Sequence, residues 1–210
     1  MSALPPVRHP WAAALYDRLD KLGEKRFAPY RQRTAGGASG RVIEVGGGTG
    51  ANLRYYDWSR VDSLDFTEPD PHMLGRAVPK RDALPPEARA KVRLHQSPAE
   101  SLPFDDVSFD TAVVTLVLCT VQDPARAIAE LRRVLKPDGQ LRIIEHVAAE
   151  GLIGSFQRLI QPAHGWWAAG CQLRRHTEQA LRDAGFVLEV EERLMLMPYA
   201  PAFVGVARKE

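Results

Sequence analysis

Cysteine is nearly absent from this chain, with only Cys119 and Cys171 in 210 residues. Two cysteines build neither a disulfide framework nor a zinc site of recognisable spacing, so no metal is expected. Charge of one sign is lacking too. The net charge of +2 provides no field to draw in nucleic acid. The basic residues Lys21, Lys25, Arg26, Arg31 and Arg33 interleave with Asp17, Asp20 and Glu24, as on a solvated helix face. Long apolar runs are missing. The most apolar stretch, Thr111 to Val121, is far short of the ~20 residues a membrane span needs. The opening residues, with Arg8, His9 and two early prolines, lack the apolar region of a signal peptide. These absences point to a soluble, cytoplasmic chain with no stable membrane insertion, working as a monomer or homodimer. No internal repeat or second domain is visible, and the length suits one large domain with a sizeable core.

What is present is organised around Arg41-Val-Ile-Glu-Val-Gly-Gly-Gly-Thr-Gly-Ala-Asn-Leu53. An apolar β-run (Val42, Ile43, Val45) meets three glycines, then Thr49, Gly50 and a stretch able to open a helix. A strand, a tight turn and a helix N-terminus favour a negative group over a bare backbone. Gly46, Gly48 and Ala51 satisfy the dinucleotide fingerprint, so NAD is formally open. The same residues read as Glu44-x-Gly46-x-Gly48-x-Gly50, and that spacing resembles motif I of the class I methyltransferases dependent on S-adenosylmethionine (SAM).

In chain order, residues 1–10 are expected to be irregular. Trp11, Leu15, Leu19 and Leu22 recur at helical spacing, with Gly23 and Pro29 limiting or kinking that helix. Gly36 to Gly40 reads as a flexible connector. Residues 1–40 thus form a helical cap or lid, with Tyr16 or Trp11 able to close over a ligand or simply to pack. A helix through Asn52–Tyr56 should lead to a second strand, Val61–Thr67. Glu68 follows Glu44 by 24 positions, near the ~20-residue interval at which an acid reaches ribose hydroxyls. Asp65 is the alternative, and Asp70 suits an N-cap. Short helices at Pro71–Ala77 and Pro86–Ala90, a strand at Val92–Gln96 and a buried strand at Thr111–Cys119 come next. Asp123-Pro124 caps a helix whose inner face is Ala127, Ile128, Leu131, Val134 and Leu135. Lys136 to Gly139 turns into strand Gln140–His146. A helix at Thr177–Ala184, stopped by Gly185, precedes strands Phe186–Leu194 and Ala202–Ala207.

The succession Ala99–Phe104, Ser108–Asp110, an apolar strand, Asp123-Pro124 and Arg133–Leu141 resembles class I methyltransferases throughout, which decides for SAM over NAD. Further on, Thr115–Val121, Glu145-His146-Val147, Pro162-Ala163, Gly170-Cys171, Leu173, Arg175 and Tyr199–Lys209 are similar to one subgroup. These are the thiol S-methyltransferases called methyltransferase-like seven, and their bacterial relatives. The resemblance runs from about Gly40 onward. It implies a Rossmann-like α/β fold with a seven-stranded, mostly parallel sheet, the last strand antiparallel, and helices on both faces. It also implies a SAM-binding domain over 41–210 with an acceptor-site insertion at about 151–176. Two departures stand out. The subgroup's apolar N-terminal anchor has no counterpart here, and Gly47 replaces a common cysteine.

The resemblance implies SAM as cofactor, leaving as S-adenosylhomocysteine (SAH), with cofactor contacts from Glu44, Gly46, Gly48, Gly50, Glu68, Ala99, Glu100 and Leu116. The acceptor pocket falls to Tyr16, His164, Trp166, Trp167 and Cys171. The adjacent tryptophans suit an apolar pocket and a core or dimer contact equally well. His146 at a strand end is a candidate base or a structural histidine. Arg175 is a candidate for stabilising an anionic acceptor or an ion-pair partner. Both cysteines read as packed rather than reactive. The expected function is methylation of a small apolar acceptor, with sulfur the leading atom. Quinone C-methylation, phenol O-methylation, phospholipid N-methylation and a catalytically silent SAM-binding protein are the alternatives.

Overall fold

The computed structural model describes residues 10–168 and 170–210. Seven strands form one sheet in the order β3-β2-β1-β4-β5-β7-β6. They are β1 (Gly40–Val45), β2 (Val61–Thr67), β3 (Val92–His95), β4 (Phe109–Thr115), β5 (Leu135–His146), β6 (Phe186–Met197) and β7 (Ala200–Lys209). Strands β3, β2, β1, β4 and β5 pair in parallel, and β7 runs antiparallel to both β5 and β6. The expected seven-stranded architecture with an antiparallel last strand is therefore the one observed. Alternate residues of β1 enter opposite layers. Ile43 and Val45 pack with β4, β5 and helix α4 (Pro124–Val134), while Val42 packs with Leu64, Phe66 and Ala77. Burial on both faces explains why the central strands read as near-continuous apolar runs.

The capping signals hold. Asp123 accepts from the Arg126 N–H (3.0 Å) at the start of α4, and Asp70 accepts from the His72 N–H (2.8 Å) at the start of α2 (Pro71–Asp82). Helix α3 (Pro86–Ala90) follows, then α5 (Gly151–Trp167) and α6 (Thr177–Asp183) in the second half.

Four expectations are corrected. Helix α1 spans Pro10–Thr34, so neither Gly23 nor Pro29 ends it. Its last turn is anchored by Arg142 of β5, whose guanidinium donates to the Arg33 and Thr34 carbonyls (2.8 and 3.0 Å), a cation on the negative end of a helix. The segment after it is not a flexible connector. Ala35 and Ala38 are fully buried, and a Cβ on Gly37 would stand 2.3 Å from Arg142 Nη2. The expected helix at Asn52–Tyr56 is a run of turns, closed by Leu53 N–H to Gly50 O and Tyr55 N–H to Asn52 O. The turns aim the Asn52 and Tyr56 side chains back at Glu44. Finally, Lys136 to Gly139 bulges within β5. Phe109 pairs with Leu135 and Thr111 with Gln140, and Lys136 closes the gap by an ion pair to Asp110 (2.7 Å).

Candidate active site

The glycine turn forms because β1 ends between two protein walls. Gly46 (φ +64°), Gly48 (φ +59°) and Gly50 (φ +79°) adopt left-handed backbone. A Cβ at Gly46 would meet Val117 at 2.7 Å, and one at Gly47 would meet the Phe66 ring at 2.1 Å. Phe66 thus fills the space in which the subgroup's cysteine would stand. Gly48 differs, since its Cβ would find only Met73 Sδ, at 3.9 Å. Gly48 is the part of the turn left open to a ligand.

Beneath the turn, Glu44 is buried and both its oxygens are taken, one by Asn52 Nδ2 and one by Tyr56 Oη, each at 2.9 Å. Arg31 extends the network by donating to Asn52 (2.6 Å). Glu44 therefore shapes the turn from inside rather than facing a ligand. Arg31, Asn52 and Tyr56 carry no periodic or motif signal that could have placed them here.

Glu68 lies beside Gly48. Its carboxylate accepts from the N–H groups of Gly48 and Asp70, both at 2.9 Å. A carboxylate offers about four acceptor positions, so these two bonds leave room for ribose hydroxyls. Next to it, the second carboxylate oxygen of Asp70 is buried without a partner among the described residues. The N-cap reading of Asp70 holds but leaves out that free acceptor. Asp65 is instead engaged by Arg93, which holds it bidentately (2.9 and 2.9 Å), and by His95, which adds a contact at 2.8 Å. Ala99 is buried after β3. Glu100 turns away and accepts from the Gln122 and Asp123 N–H groups (2.9 and 3.3 Å), sealing the entry to α4.

Burial pushes the carboxyls of Glu44 and Glu68 up to about 7. Between about pH 4.5 and 7 the folded Glu44 keeps a proton that the unfolded chain has released. Its contribution to stability is full below about pH 4.5 and is lost as pH rises through 7. Relative to Glu44→Gln, the protein should lose about 3 kcal/mol across that window, at about 1.36 kcal/mol per unit. Urea unfolding of both proteins at a series of pH values measures the difference, and parallel curves would refute it.

At the far side of the turn, β4 stops at Thr115 rather than continuing to Cys119. Leu116 sits at φ +56°, a strained conformation for a leucine, with its N–H on Ile144 O (2.8 Å). The fully buried Glu145 holds the loop beyond Leu116, accepting from the N–H groups of Val117 (3.0 Å), Leu118 (2.7 Å) and its own neighbour His146 (3.1 Å).

Cys119, at the end of this loop, meets Cys171 from the loop after α5. The two loops are joined by Gln172 N–H to Cys119 O (2.8 Å) and by Arg175, which donates to the Leu118 and Val121 carbonyls (2.6 and 2.5 Å). Arg175 is therefore a brace for backbone rather than an anion clamp. His146, the last residue of β5, places Nε2 2.8 Å from Cys171 Sγ, and His164 of α5 places its own Nε2 3.4 Å away. The Cys119 thiol donates to Cys171 and, with the two imidazoles, outweighs burial to hold Cys171 well below the ordinary thiol range. Burial and the neighbouring sulfur push Cys119 up. Burial alone would lower His146, but Cys171 and Glu145 keep it above its usual value. Cys171 is thus held toward the thiolate beside His146, whereas Cys119 is buried with its thiol pushed up, as packing implies. Spacing alone does not reveal this cluster, because its members come from four separate elements, although the family resemblance names three of them, His146, His164 and Cys171, among the site residues.

Trp166 is 76% exposed, on a face of α5 that also shows Leu152, Phe156 and Leu159, so it does not line an enclosed pocket. The side chains of Tyr16, Trp11 and Trp167 lie outside the described residues, as do residues 1–9. Among the described residues no helix is long and apolar enough to cross a membrane.

Residues 43–143 match the family model "Methyltransferase domain". The chain is 37% identical over 186 residues to thiol S-methyltransferase TMT1B of Homo sapiens, covering 82% of this chain and 73% of that one. It is 36% identical to the phosphatidylethanolamine N-methyltransferase of Cereibacter sphaeroides, covering 65% and 66%. Among solved structures, a SAM-dependent methyltransferase of Thermotoga maritima shares the fold with a TM-score of 0.68 at 24% identity, over 96% of this chain and 99% of that one. The [4+2]-cyclase SpnF shares it with a TM-score of 0.70 at 21% identity, over 88% and 80%. The fold alone thus does not dictate the reaction, but with the sequence relatives the chain belongs to the class I SAM-dependent methyltransferases.

Proposed function

We propose that the protein methylates the sulfur of a small, apolar thiol. The observation that carries this reading is the likeness to the human thiol S-methyltransferase over 82% of the chain. The turn fits SAM in two respects. Gly48 is open, and an unpartnered Asp70 oxygen lies beside Glu68, where hydroxyl donors would satisfy it. Glu68 and Asp70 would hold the ribose, the Gly46–Gly50 backbone the amino-acid end, and Ala99 and Leu116 the rest. When bound, SAM supplies a methyl carbon activated by a sulfonium charge. The chain's own task is alignment and exclusion of water. Glu145 fixes the loop that faces the turn, and α1, carrying Tyr16, is the proposed lid. Free thiols ionise near ~8.5, so a thiol acceptor needs little help from a base. That suits a site whose histidine already serves Cys171.

Purified protein with SAM and a panel of thiols, phenols, amines and quinols, read out as SAH, tests the acceptor. Thiols are expected to turn over. If only amines react, the likeness to the phosphatidylethanolamine enzyme is the better guide. For the cofactor, Glu68→Ala should weaken SAH binding about 10- to 100-fold through loss of charge-assisted bonds of about 1.5–3 kcal/mol. Calorimetry should show Asp65→Ala to be nearly neutral for binding, and the reverse pattern would overturn the ribose assignment.

A further inference from the structure

The chain's two cysteines converge on one point from loops on different elements. Cys119 Sγ, Cys171 Sγ and a ring nitrogen of His146 all lie within 4.8 Å of one another, and all three residues are buried. We propose that these three side chains bind one divalent zinc ion, whose fourth position takes the sulfur of the acceptor thiol. The second half of the proposal rests on the thiol reading above, and the first half stands without it.

Donor chemistry favours a metal over a disulfide. A disulfide would use the sulfurs and leave the His146 imidazole nitrogen, aimed at Cys171 from 2.8 Å, without a task. Two sulfurs and one imidazole are a borderline-soft set suited to zinc, and three protein ligands leave a fourth position to be filled. With Zn–S of about 2.3 Å and Zn–N of about 2.0 Å, tetrahedral ligand atoms stand roughly 3.5–3.8 Å apart. Side-chain shifts of about 1 Å bring these atoms to that spacing.

Location ties the cluster to the reaction. Cys119 closes the loop that begins at Leu116, and Val117 of that loop packs against Gly46 of the turn. An acceptor sulfur bound to the ion would give up its proton to solvent and keep its lone pairs. One of these then forms the new bond to carbon, as the carbon's bond to the departing sulfur breaks.

The experiment is a cobalt titration of chelator-treated, reduced protein without SAM. One equivalent of Co(II) should bind, with thiolate-to-cobalt charge-transfer absorption and tetrahedral ligand-field bands, and Zn(II) should displace it. Cys119→Ser and Cys171→Ser should each weaken binding at least tenfold. An apolar thiol, added alone, should shift the ligand-field bands. Reduced wild-type protein that takes up no cobalt overturns the site, whatever the variants do, and so does binding unchanged in the double serine variant. Methylation of thiols at full rate by chelator-treated protein overturns the metal's part in the reaction and leaves thiol methylation standing. Stoichiometric cobalt uptake with no turnover of any thiol overturns the fourth-ligand assignment while keeping the metal site.

Discussion

Glu145→Ala should cost about 3–6 kcal/mol of stability and abolish methyl transfer. The carboxylate is the common acceptor for the backbone N–H groups of Val117, Leu118 and His146, at 2.7 to 3.1 Å, inside a region closed to water. Removing it strands three buried donors, each at a cost of about 1–3 kcal/mol, and the desolvation the carboxylate itself bears offsets part of the sum. The left-handed Leu116 persists only while its surroundings over-determine it. Once released, the loop takes Cys119 away from Cys171. Glu145→Gln should do less harm, since its amide oxygen can still serve Val117 and Leu118 while its NH2 confronts the His146 N–H. Urea unfolding and SAH release read both effects. An alanine variant within about 1 kcal/mol of wild type would mean that another group holds the loop.

A second large effect separates two neighbouring glycines. Gly46→Ala and Gly48→Ala both place a side chain at positive φ, a strain of roughly 1–2 kcal/mol. At Gly46 the new methyl also strikes both branches of Val117 at 2.7 Å, and Val117 is tethered to Glu145 and has nowhere to go. At Gly48 it enters open space against Met73. Gly46→Ala should therefore lose both stability and SAH binding. Gly48→Ala should stay folded, with little loss beyond the strain, and bind SAH at least 100-fold more weakly. Thermal melts and calorimetry distinguish the two. Tight SAH binding by Gly48→Ala would mean that the ligand does not approach the turn over that residue.

The readable parts of the chain are those in which local chemistry and final environment agree. Val42, Ile43 and Val45 alternate into two cores, Asp123-Pro124 caps α4, and the glycines take the positive φ that their spacing implies. Misreadings arise where a distant partner overrides a local preference. Pro29 stays inside α1 while Arg142, more than a hundred residues later, supports its last turn. Asn52 and Tyr56 give up a helix to satisfy Glu44. Arg175 looks like an anion clamp in the sequence because nothing nearby shows that two carbonyls in another loop await it. The cysteine cluster is the least legible, since it exists only once β4, β5, α5 and the loop after α5 are in place.

Strand β7 lies between β5 and β6, although it follows both in the chain. During synthesis, β5 therefore emerges with one edge bare, and that edge includes Glu145 and His146, whose eventual partners are Phe203 and Ala202. A nascent chain holding everything up to β6 has the glycine turn and both cysteines but lacks the strand that joins β6 to β5 and the rest of the sheet. It presents an unpaired apolar strand, the template for association with other chains. A stop codon or proteolytic cut just before Ala200 should then yield a sticky intermediate rather than a weak enzyme.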